Sequence, residues 1–120
     1  MGPEHPNTAR CQNNLAILYR HQGKYEQAET FFLRALAIFE QHLGPEHPLT
    51  AEALHGLAEL YQQQGKYEQA EALFLRALSI REKCSGRDHP DTLETRRAYA
   101  TLLRLRGWDV EAAAFETDVP

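Results

Sequence analysis

The sequence predicts an all-α protein, a solenoid of three helix-turn-helix hairpins with about six antiparallel helices. Three observations predict it: a motif that returns every 42 residues, glycines at a constant step of 21, and apolar residues at helical spacing between those glycines. Repeats with a period of about 20 to 50 residues are typical of stacked repeat architectures. We expect a single domain over residues 1–120, with repeat one at 2–43, repeat two at 44–85 and a degenerate, truncated C-terminal repeat at 86–120.

The 42-residue period is set by a short motif that precedes each repeat. The sequence GPEHP at residues 2–6 returns at 44–48 and, altered to GRDHP, at 86–90. Residues 2–43 and 44–85 are identical at 26 of 42 aligned positions. Identity at that level indicates two copies of one structural unit.

Glycines and prolines divide each repeat into two helices. Six of the seven glycines lie at positions 2, 23, 44, 65, 86 and 107, and glycine commonly ends a helix because it adopts positive φ without steric cost. Pro6, Pro48 and Pro90 mark helix starts, where the missing N–H has no intrahelical partner to lose. The predicted helices span residues 7–22, 25–42, 49–64, 67–84, 91–106 and 108–116.

Composition and charge narrow the class of protein. The net charge of -4 argues against a nucleic-acid scaffold, which usually needs a basic surface. No apolar run is long enough to span a bilayer, and the N-terminus lacks a secretory signal pattern, so we expect no membrane partner. Two cysteines, Cys11 and Cys84, are too few for a disulfide framework and favour reduced thiols in a cytoplasmic protein.

Motifs for phosphate, metal and nucleophilic chemistry are incomplete. The Gly-Lys pairs at 23–24 and 65–66 lack the upstream glycine of a phosphate loop. Equivalent histidines of successive repeats, His5, His47 and His89, should lie about 10 Å apart, so we expect turn residues and no metal site. Cys11 has no evident activating base and suits a packing residue better than a nucleophile. We therefore expect neither an enzyme nor a cofactor.

Small and aromatic residues inside the repeats resemble those of the tetratricopeptide repeat (TPR) family. The pattern Leu-small-x-x-Tyr in the first helix, followed by small, aromatic and small residues in the second, occurs in both complete repeats: Leu15, Ala16, Tyr19, Ala28, Phe32 and Ala35, then Leu57, Ala58, Tyr61, Ala70, Phe74 and Ala77. The long period and the Gly-x-x-His-Pro-x-Thr lead at 44–50 resemble the kinesin-light-chain subgroup. The resemblance implies a right-handed superhelix that binds proteins.

The third repeat departs from this pattern. Leu103 replaces the tyrosine, Glu116 falls where the aromatic residue should be, and the predicted last helix is short. Terminal repeats are commonly atypical because one side of them faces water. We interpret this unit as the C-terminal cap of an array.

The resemblance implies that the first helix of each repeat lines a concave, peptide-binding groove. In repeat one, the groove-facing residues are Arg10, Asn13, Asn14, Ile17, Arg20 and His21. In repeat two, they are Glu52, His55, Glu59, Gln62 and Gln63. In repeat three, they are Glu94, Arg97, Thr101, Arg104 and Leu105.

Two groups in this groove have alternative interpretations. Asn13 and Asn14 match an Asn-Asn-Leu-Ala signature of the subgroup and could clamp a peptide backbone, or they could be solvated helix residues. The arginines of repeat three could bind an acidic peptide or a C-terminal carboxylate, or they could pair with Glu94 and Glu111; they are Arg96, Arg97, Arg104 and Arg106.

The leading hypothesis is a non-catalytic scaffold that binds a protein or peptide. The alternative is a structural or self-associating segment of a longer array, such as the sensor tail of a signalling ATPase. Met1 occupies the position that Leu43 occupies in the next unit, as at a repeat boundary within a longer array. We expect an apolar N-terminal end that self-associates, because each repeat normally buries its faces against both neighbours.

Overall fold

In the described part of the chain, five α-helices follow one another, joined by turns of three or four residues. The computed structural model describes residues 5–108 and 111–112. The helices are α1 (Pro6–His21), α2 (Tyr25–Leu43), α3 (Pro48–Gln63), α4 (Tyr67–Ser85) and α5 (Pro90–Leu105). Each end lies within one residue of its predicted position. Most of the sixth predicted helix, 108–116, lies outside the described residues, although residues 111–112 are helical and Ala112 is fully buried.

Local sequence signals set the ends of these helices. α1, α3 and α5 each begin with proline, after a histidine whose Nδ1 accepts the backbone N–H two residues later, at 3.0, 3.0 and 3.1 Å. His5, His47 and His89 are therefore helix caps, in agreement with their prediction as turn residues. Gly23 and Gly65 follow α1 and α3 with φ of 77° and 78°, a conformation that favours glycine.

Small residues allow the two helices of each hairpin to approach closely. α1 packs on α2, and α3 packs on α4. Ala28 and Ala35 of α2 are fully buried, as are the equivalent Ala70 and Ala77 of α4. A larger side chain at any of these four positions would have to displace its neighbours.

The stack bends around its first helices. Among the five described helices, the backbone of α3 approaches those of both α1 and α5, whereas the backbones of α2 and α4 do not approach each other. Long side chains bridge that wider gap, as in the ion pair between Arg76 of α4 and Glu40 of α2. The helices on one side are therefore closer together than those on the other. α1, α3 and α5 line the concave face, and α2 and α4 form the outer side.

Two seams join successive hairpins, and they differ in chemistry. The first seam, between α2 and α3, contains Phe39, Ala53 and Leu54, all buried in one apolar cluster. The second seam, between α4 and α5, has Arg81, Thr95 and Arg96 at the equivalent positions, also buried. Arg81 Nη1 donates to Thr95 Oγ1 at 2.7 Å and to the Asp91 carbonyl at 3.1 Å. Arg96 Nη1 lies 3.5 Å from Glu82 Oε2.

A tyrosine–glutamate hydrogen bond also ties each hairpin to the next. The Tyr61 hydroxyl of α3 donates to Glu29 Oε2 of α2 at 2.6 Å. The Tyr99 hydroxyl of α5 donates to Glu71 Oε2 of α4 at 2.7 Å. In repeat three, the position equivalent to Tyr61 is occupied by Leu103. Tyr99 lies one helical turn before it. The apparent loss of the tyrosine in repeat three is thus an exchange of two neighbouring positions that keeps the contact.

The face of α1 that carries Leu15 and Leu18 is more exposed than the equivalent face of α3. Leu15 and Leu18 are 41% and 51% exposed, whereas the equivalent Leu57 and Leu60 of α3 are 2% and 0% exposed. α2 packs against α3, but no described helix packs against the corresponding face of α1. Within the described residues, each helix is too short or too polar to cross a membrane.

Candidate functional site

A cavity opens on the concave face at the meeting point of α1, α3 and α5. Its volume is about 270 Å³. We call it the central cavity; its lining residues are Ile17, Arg20, Glu52, His55, Gly56, Glu59, Arg81, Asp91 and Glu94. These residues come from all three concave helices and from α4, so the cavity depends on the stacking of the hairpins.

Gly56, which lines the central cavity, allows α3 to pack closely against α2. It lies in the middle of α3, where glycine lowers helix stability by about 1 kcal/mol relative to alanine. A Cβ at this position would lie 2.5 Å from a ring carbon of Phe32. A larger residue at this position would therefore force the buried Phe32 ring to shift.

His55 forms the buried floor of the cavity. Its side chain is 8% exposed, and Nδ1 lies 3.2 Å from Thr95 Oγ1 of α5. Nε2 faces two carboxylates, with Glu59 Oε1 at 3.5 Å and Glu94 Oε1 at 3.9 Å. The Phe74 ring meets the imidazole edge-on, with centroids 5.5 Å apart. His55 thus connects α3 to α5 and places two acidic side chains at one point.

The cationic side chains of the cavity are buried and engaged. Arg81 is 8% exposed and, besides its contacts in the second seam, lies 3.3 Å from Glu94 Oε1. Arg20 is 13% exposed; Nη1 donates to Gln63 Oε1 at 3.0 Å and Nη2 lies 3.7 Å from Glu59 Oε1. The carboxylates of Glu59 and Glu94 are 37% and 63% exposed. The charges within reach of a ligand are therefore mainly negative.

Glu59 is held in its ionised form. Burial opposes its ionisation, but the hydrogen bond with His55 and the positive charges of His55, Arg20 and His21 outweigh burial and lower the pKa of the Glu59 carboxyl. A carboxyl with a lowered pKa remains negative at mildly acidic pH.

A second cavity adjoins the central one along α3. Its volume is about 240 Å³, and its lining residues are Arg20, Glu59, Gln62, Gln63, Ala98 and Thr101. Arg20 and Glu59 line both cavities. Together the two cavities form a groove along the concave face, which we call the concave groove.

The structure distributes the predicted groove residues between this groove and other places. Ile17, Arg20, His55 and Glu59 line the central cavity, as do Glu52 and Glu94; Gln62, Gln63 and Thr101 line the second cavity. The other predicted residues line neither of these cavities: Arg10, Asn13, Asn14, His21, Arg97, Arg104 and Leu105.

The two asparagines have different environments. Asn13 is 2% exposed, and its Nδ2 donates to Glu52 Oε1 of α3 at 3.3 Å, so it ties α1 to α3. Asn14 is exposed. The two side chains therefore do not form one amide clamp in this structure.

Two arginines of repeat three are engaged in structural contacts. Arg96 is 4% exposed and pairs with Glu82. Arg106 lies 3.2 Å from Glu71 Oε1, and its guanidinium stacks 4.1 Å from the Trp108 ring centroid. Two of the four arginines of the predicted basic group therefore pair with residues of this protein, Glu82 and Glu71.

Sequence reasoning missed three residues of the central cavity: Gly56, Arg81 and Asp91. Arg81 belongs to a second helix of a repeat, which the family alignment places on the outer side. A signal was present, because Arg81 replaces the apolar Phe39 at the equivalent position of an otherwise apolar stripe. Asp91 is an exposed residue in the first turn of α5.

Comparison with known proteins agrees with this architecture. The sequence profile of the tetratricopeptide repeat matches residues 1–41, 12–83 and 49–118. The chain belongs to the tetratricopeptide repeat family. Proteins of this family are generally non-catalytic scaffolds for other proteins. None of the curated proteins matches the sequence.

Solved structures place the chain among kinesin-light-chain-like TPR proteins. It is similar to BtubC (BKLC) from P. vanneervenii, with a TM-score of 0.86 and 27% identity over 93% of this chain and 45% of that one. It is also similar to kinesin-light-chain TPR-like repeats from Podosopora anserina, with a TM-score of 0.82 and 29% identity over 92% of this chain and 53% of that one. A substituted form of the latter protein gives a TM-score of 0.81 and 26% identity over 98% and 56%. The chain therefore spans about half the length of these structures.

Proposed function

We propose that this protein is a non-catalytic interaction scaffold that holds a peptide segment of a partner protein in the concave groove. The observation that carries the proposal is the pair of adjoining cavities, lined by residues of α1, α3 and α5 together with Arg81 of α4. A groove between stacked helices offers an extended segment contacts along its whole length.

The groove contains the groups that peptide recognition needs. The Gln62 amide and the Thr101 hydroxyl line the second cavity, and both side chains donate and accept hydrogen bonds, as a peptide backbone does. Ile17 gives the central cavity an apolar wall. Partner side chains would supply specificity through the charged groups of the central cavity.

A library of displayed peptides tests this proposal. Peptides that bind should lose affinity about tenfold for Gln62→Ala, because a hydrogen bond in the groove is removed. The matched control is Gln27→Ala, an exposed glutamine of α2 that lies outside the groove. Equal effects of the two substitutions, with unchanged melting temperatures, would place the binding surface elsewhere.

A structural, self-associating role is the second candidate, and the exposure of Leu15 and Leu18 favours it. The equivalent leucines of α3 are covered by a neighbouring helix, so the same surface on α1 suits a helix of another copy. Light scattering after size exclusion should show a mass that rises with concentration, and Leu15→Gln with Leu18→Gln should suppress the rise. A constant mass of 13.7 kDa over a wide concentration range would contradict this role.

A cytoplasmic location is also part of the proposal. Cys11 and Cys84 are both free and exposed, as suits a reducing compartment.

A further inference from the structure

One face of α1 matches, position for position, the faces of α3 and α5 that are buried in the two seams. On α1 this face carries Cys11, which is exposed, and Leu15 and Leu18, which are 41% and 51% exposed. The equivalent residues of the two seams are all buried: Ala53, Leu57 and Leu60 of α3, and Thr95, Tyr99 and Leu102 of α5. We call the surface formed by Cys11, Leu15 and Leu18 the open seam face, because no described helix packs against it.

Tyr19 adds a hydrogen-bond donor to this face. It is equivalent to Tyr61 and follows Leu18 near the end of α1. The Tyr61 hydroxyl donates to Glu29 of the preceding helix at 2.6 Å, and the second seam has the same kind of bond at 2.7 Å. In the described part of the chain, the Tyr19 ring stacks on Phe31, and no carboxylate accepts from its hydroxyl. The donor of a third such bond is therefore in place, and its acceptor would come with a covering helix.

The two seams define the helix that such a face receives. Glu29 near the start of α2 meets Tyr61 near the end of α3, so the two helices run antiparallel. The residue ten positions after the glutamate also lies in the seam: Phe39 in α2 and Arg81 in α4. A covering helix with this pattern therefore carries a glutamate and, ten positions later, a large side chain.

The side chains of α1 favour an apolar residue at that second position. Arg81 depends on the Thr95 hydroxyl, which accepts from it at 2.7 Å. On α1, Cys11 occupies the position of Thr95, and a thiol is only a weak acceptor. The open seam face therefore resembles the first seam, in which Phe39 belongs to an apolar cluster.

We propose that the open seam face binds an amphipathic helix of a partner protein, antiparallel to α1 and with the residue pattern of α2. The partner's glutamate accepts from the Tyr19 hydroxyl, and its apolar residue ten positions later packs against Cys11. A second copy of this chain could supply such a helix only by opening one of its own seams, because α2 and α4 already pack against α3 and α5. The inference goes beyond the proposed peptide binding, since the open seam face lies outside the concave groove.

A synthetic peptide with the sequence of residues 24–43, which contains α2, is the probe. Titrated into the full chain, it should shift the NMR amide signals of the open seam face. Leu18→Gln, a change at an exposed residue, should weaken binding about tenfold or more because an apolar contact is lost. Gln62→Ala in the concave groove is the matched control and should leave the affinity unchanged. Melting curves establish that both variants are folded.

A second peptide tests the residue pattern. The sequence of residues 66–85 contains α4, which has Arg81 at the position of Phe39. It should bind about tenfold more weakly than the probe, because burial of the arginine beside Cys11 lacks a good acceptor. Equal or tighter binding of this peptide would overturn the proposed pattern.

A double-mutant cycle tests the hydrogen bond. Tyr19→Phe in the protein, which keeps the ring that stacks on Phe31, and Glu29→Ala in the probe peptide should each weaken binding about fivefold. The two changes together should weaken binding no more than either alone, because both remove the same bond. Effects that multiply would show that the hydroxyl and the carboxylate do not meet, and would overturn the proposed docking.

The outcomes separate this inference from the proposed functions. Binding that survives Leu18→Gln and is lost with Gln62→Ala would place the probe in the concave groove, which overturns this inference and supports the peptide scaffold. A mass that rises above 13.7 kDa with protein concentration, and that Leu18→Gln keeps constant, would assign the face to a second copy and overturn the partner. Absence of binding up to about 1 mM probe would overturn the docking site and leave the concave groove untouched.

Discussion

The first seam joins its two hairpins by apolar contact, whereas the second seam, built from the same positions, joins its hairpins by polar contact. Phe39, Ala53 and Leu54 stabilise the first seam through burial, which has no directional requirement. In the second seam, Arg81 depends on particular acceptors at particular distances. The same positions of the repeat can therefore join two hairpins either through apolar burial or through directional hydrogen bonds.

The polar residues of the second seam depend on one another. Arg81 is tolerated because Thr95 places a hydroxyl where the first seam has the methyl group of Ala53. The same arginine contacts Glu94, a residue of the central cavity. The second seam thus contributes to the candidate site as well as to the stack, and the first seam has no such role.

Transferring the arginine alone to the first seam should have the largest effect. Phe39→Arg would bury a charge beside Ala53, which offers no side-chain acceptor, so we expect a loss of about 3–5 kcal/mol in the free energy of unfolding. Urea denaturation followed by circular dichroism measures it. A loss below about 1 kcal/mol would mean that the guanidinium escapes to solvent and that the seam is looser than described.

The reverse exchange sharpens the comparison. Arg81→Phe with Thr95→Ala and Arg96→Leu gives the second seam the residues of the first. Replacement of a buried ion network by well-packed apolar residues is neutral or stabilising by about 1–4 kcal/mol. We therefore expect an unchanged or higher urea midpoint, whereas Arg81→Ala alone should lower it. Strong destabilisation by the triple exchange would show that the two seams differ in geometry as well as in chemistry.

Adding one methyl group to the first seam should have an intermediate effect. Gly56→Ala would bring a Cβ against the Phe32 ring, and overpacking of this kind costs about 1–3 kcal/mol, offset by about 1 kcal/mol of helix propensity. We expect a lower melting temperature. Asn14→Ala, at the equivalent exposed position of α1, is the control and should leave stability unchanged or slightly raised. The second seam already has an alanine, Ala98, at this position.

The tyrosine contacts of the two seams should give the smallest effect, visible at alkaline pH. Burial, followed by the hydrogen bond to Glu29 and its negative charge, raises the pKa of Tyr61 to about 12. Burial and Glu71 likewise raise the pKa of Tyr99, against an opposing effect of Arg106. Unfolded tyrosine releases its proton near pH 10, so the stabilisation is complete below that pH and declines as pH rises towards the native pKa.

Phenylalanine substitutions test this alkaline dependence. Tyr61→Phe and Tyr99→Phe should each lower stability by about 1 kcal/mol at neutral pH and make the fall in melting temperature between about pH 10 and 12 shallower. Tyr25→Phe serves as the control, because Tyr25 begins α2 and takes no part in these two bonds. Parallel curves for all four proteins would show that the two hydroxyls contribute nothing specific.

The fold could be predicted from the sequence because its determinants are local. Proline, histidine and glycine at fixed steps specify where each helix begins and ends, and the structure confirms the predicted bounds to within one residue. The site could be predicted only in outline. Asn13 and Arg96 lie on the predicted helices, but their side chains turn to partners on neighbouring helices, Glu52 and Glu82. No local rule decides which acceptor a long or amide side chain will choose.

Repeat two has Leu57 and Tyr61 where repeat three has Tyr99 and Leu103, so leucine and tyrosine have changed places. The contact between hairpins is kept although neither residue is. A helix presents residues four apart on one face, so a phenol can move by a turn and still deliver its hydroxyl to the same carboxylate. An alignment that compares column with column records two substitutions and a lost motif. Repeats are better compared by the tyrosine–glutamate hydrogen bond that joins neighbouring hairpins, which we call a bridge. Searches for degenerate repeats would gain sensitivity by scoring such bridges jointly, allowing a shift of one turn.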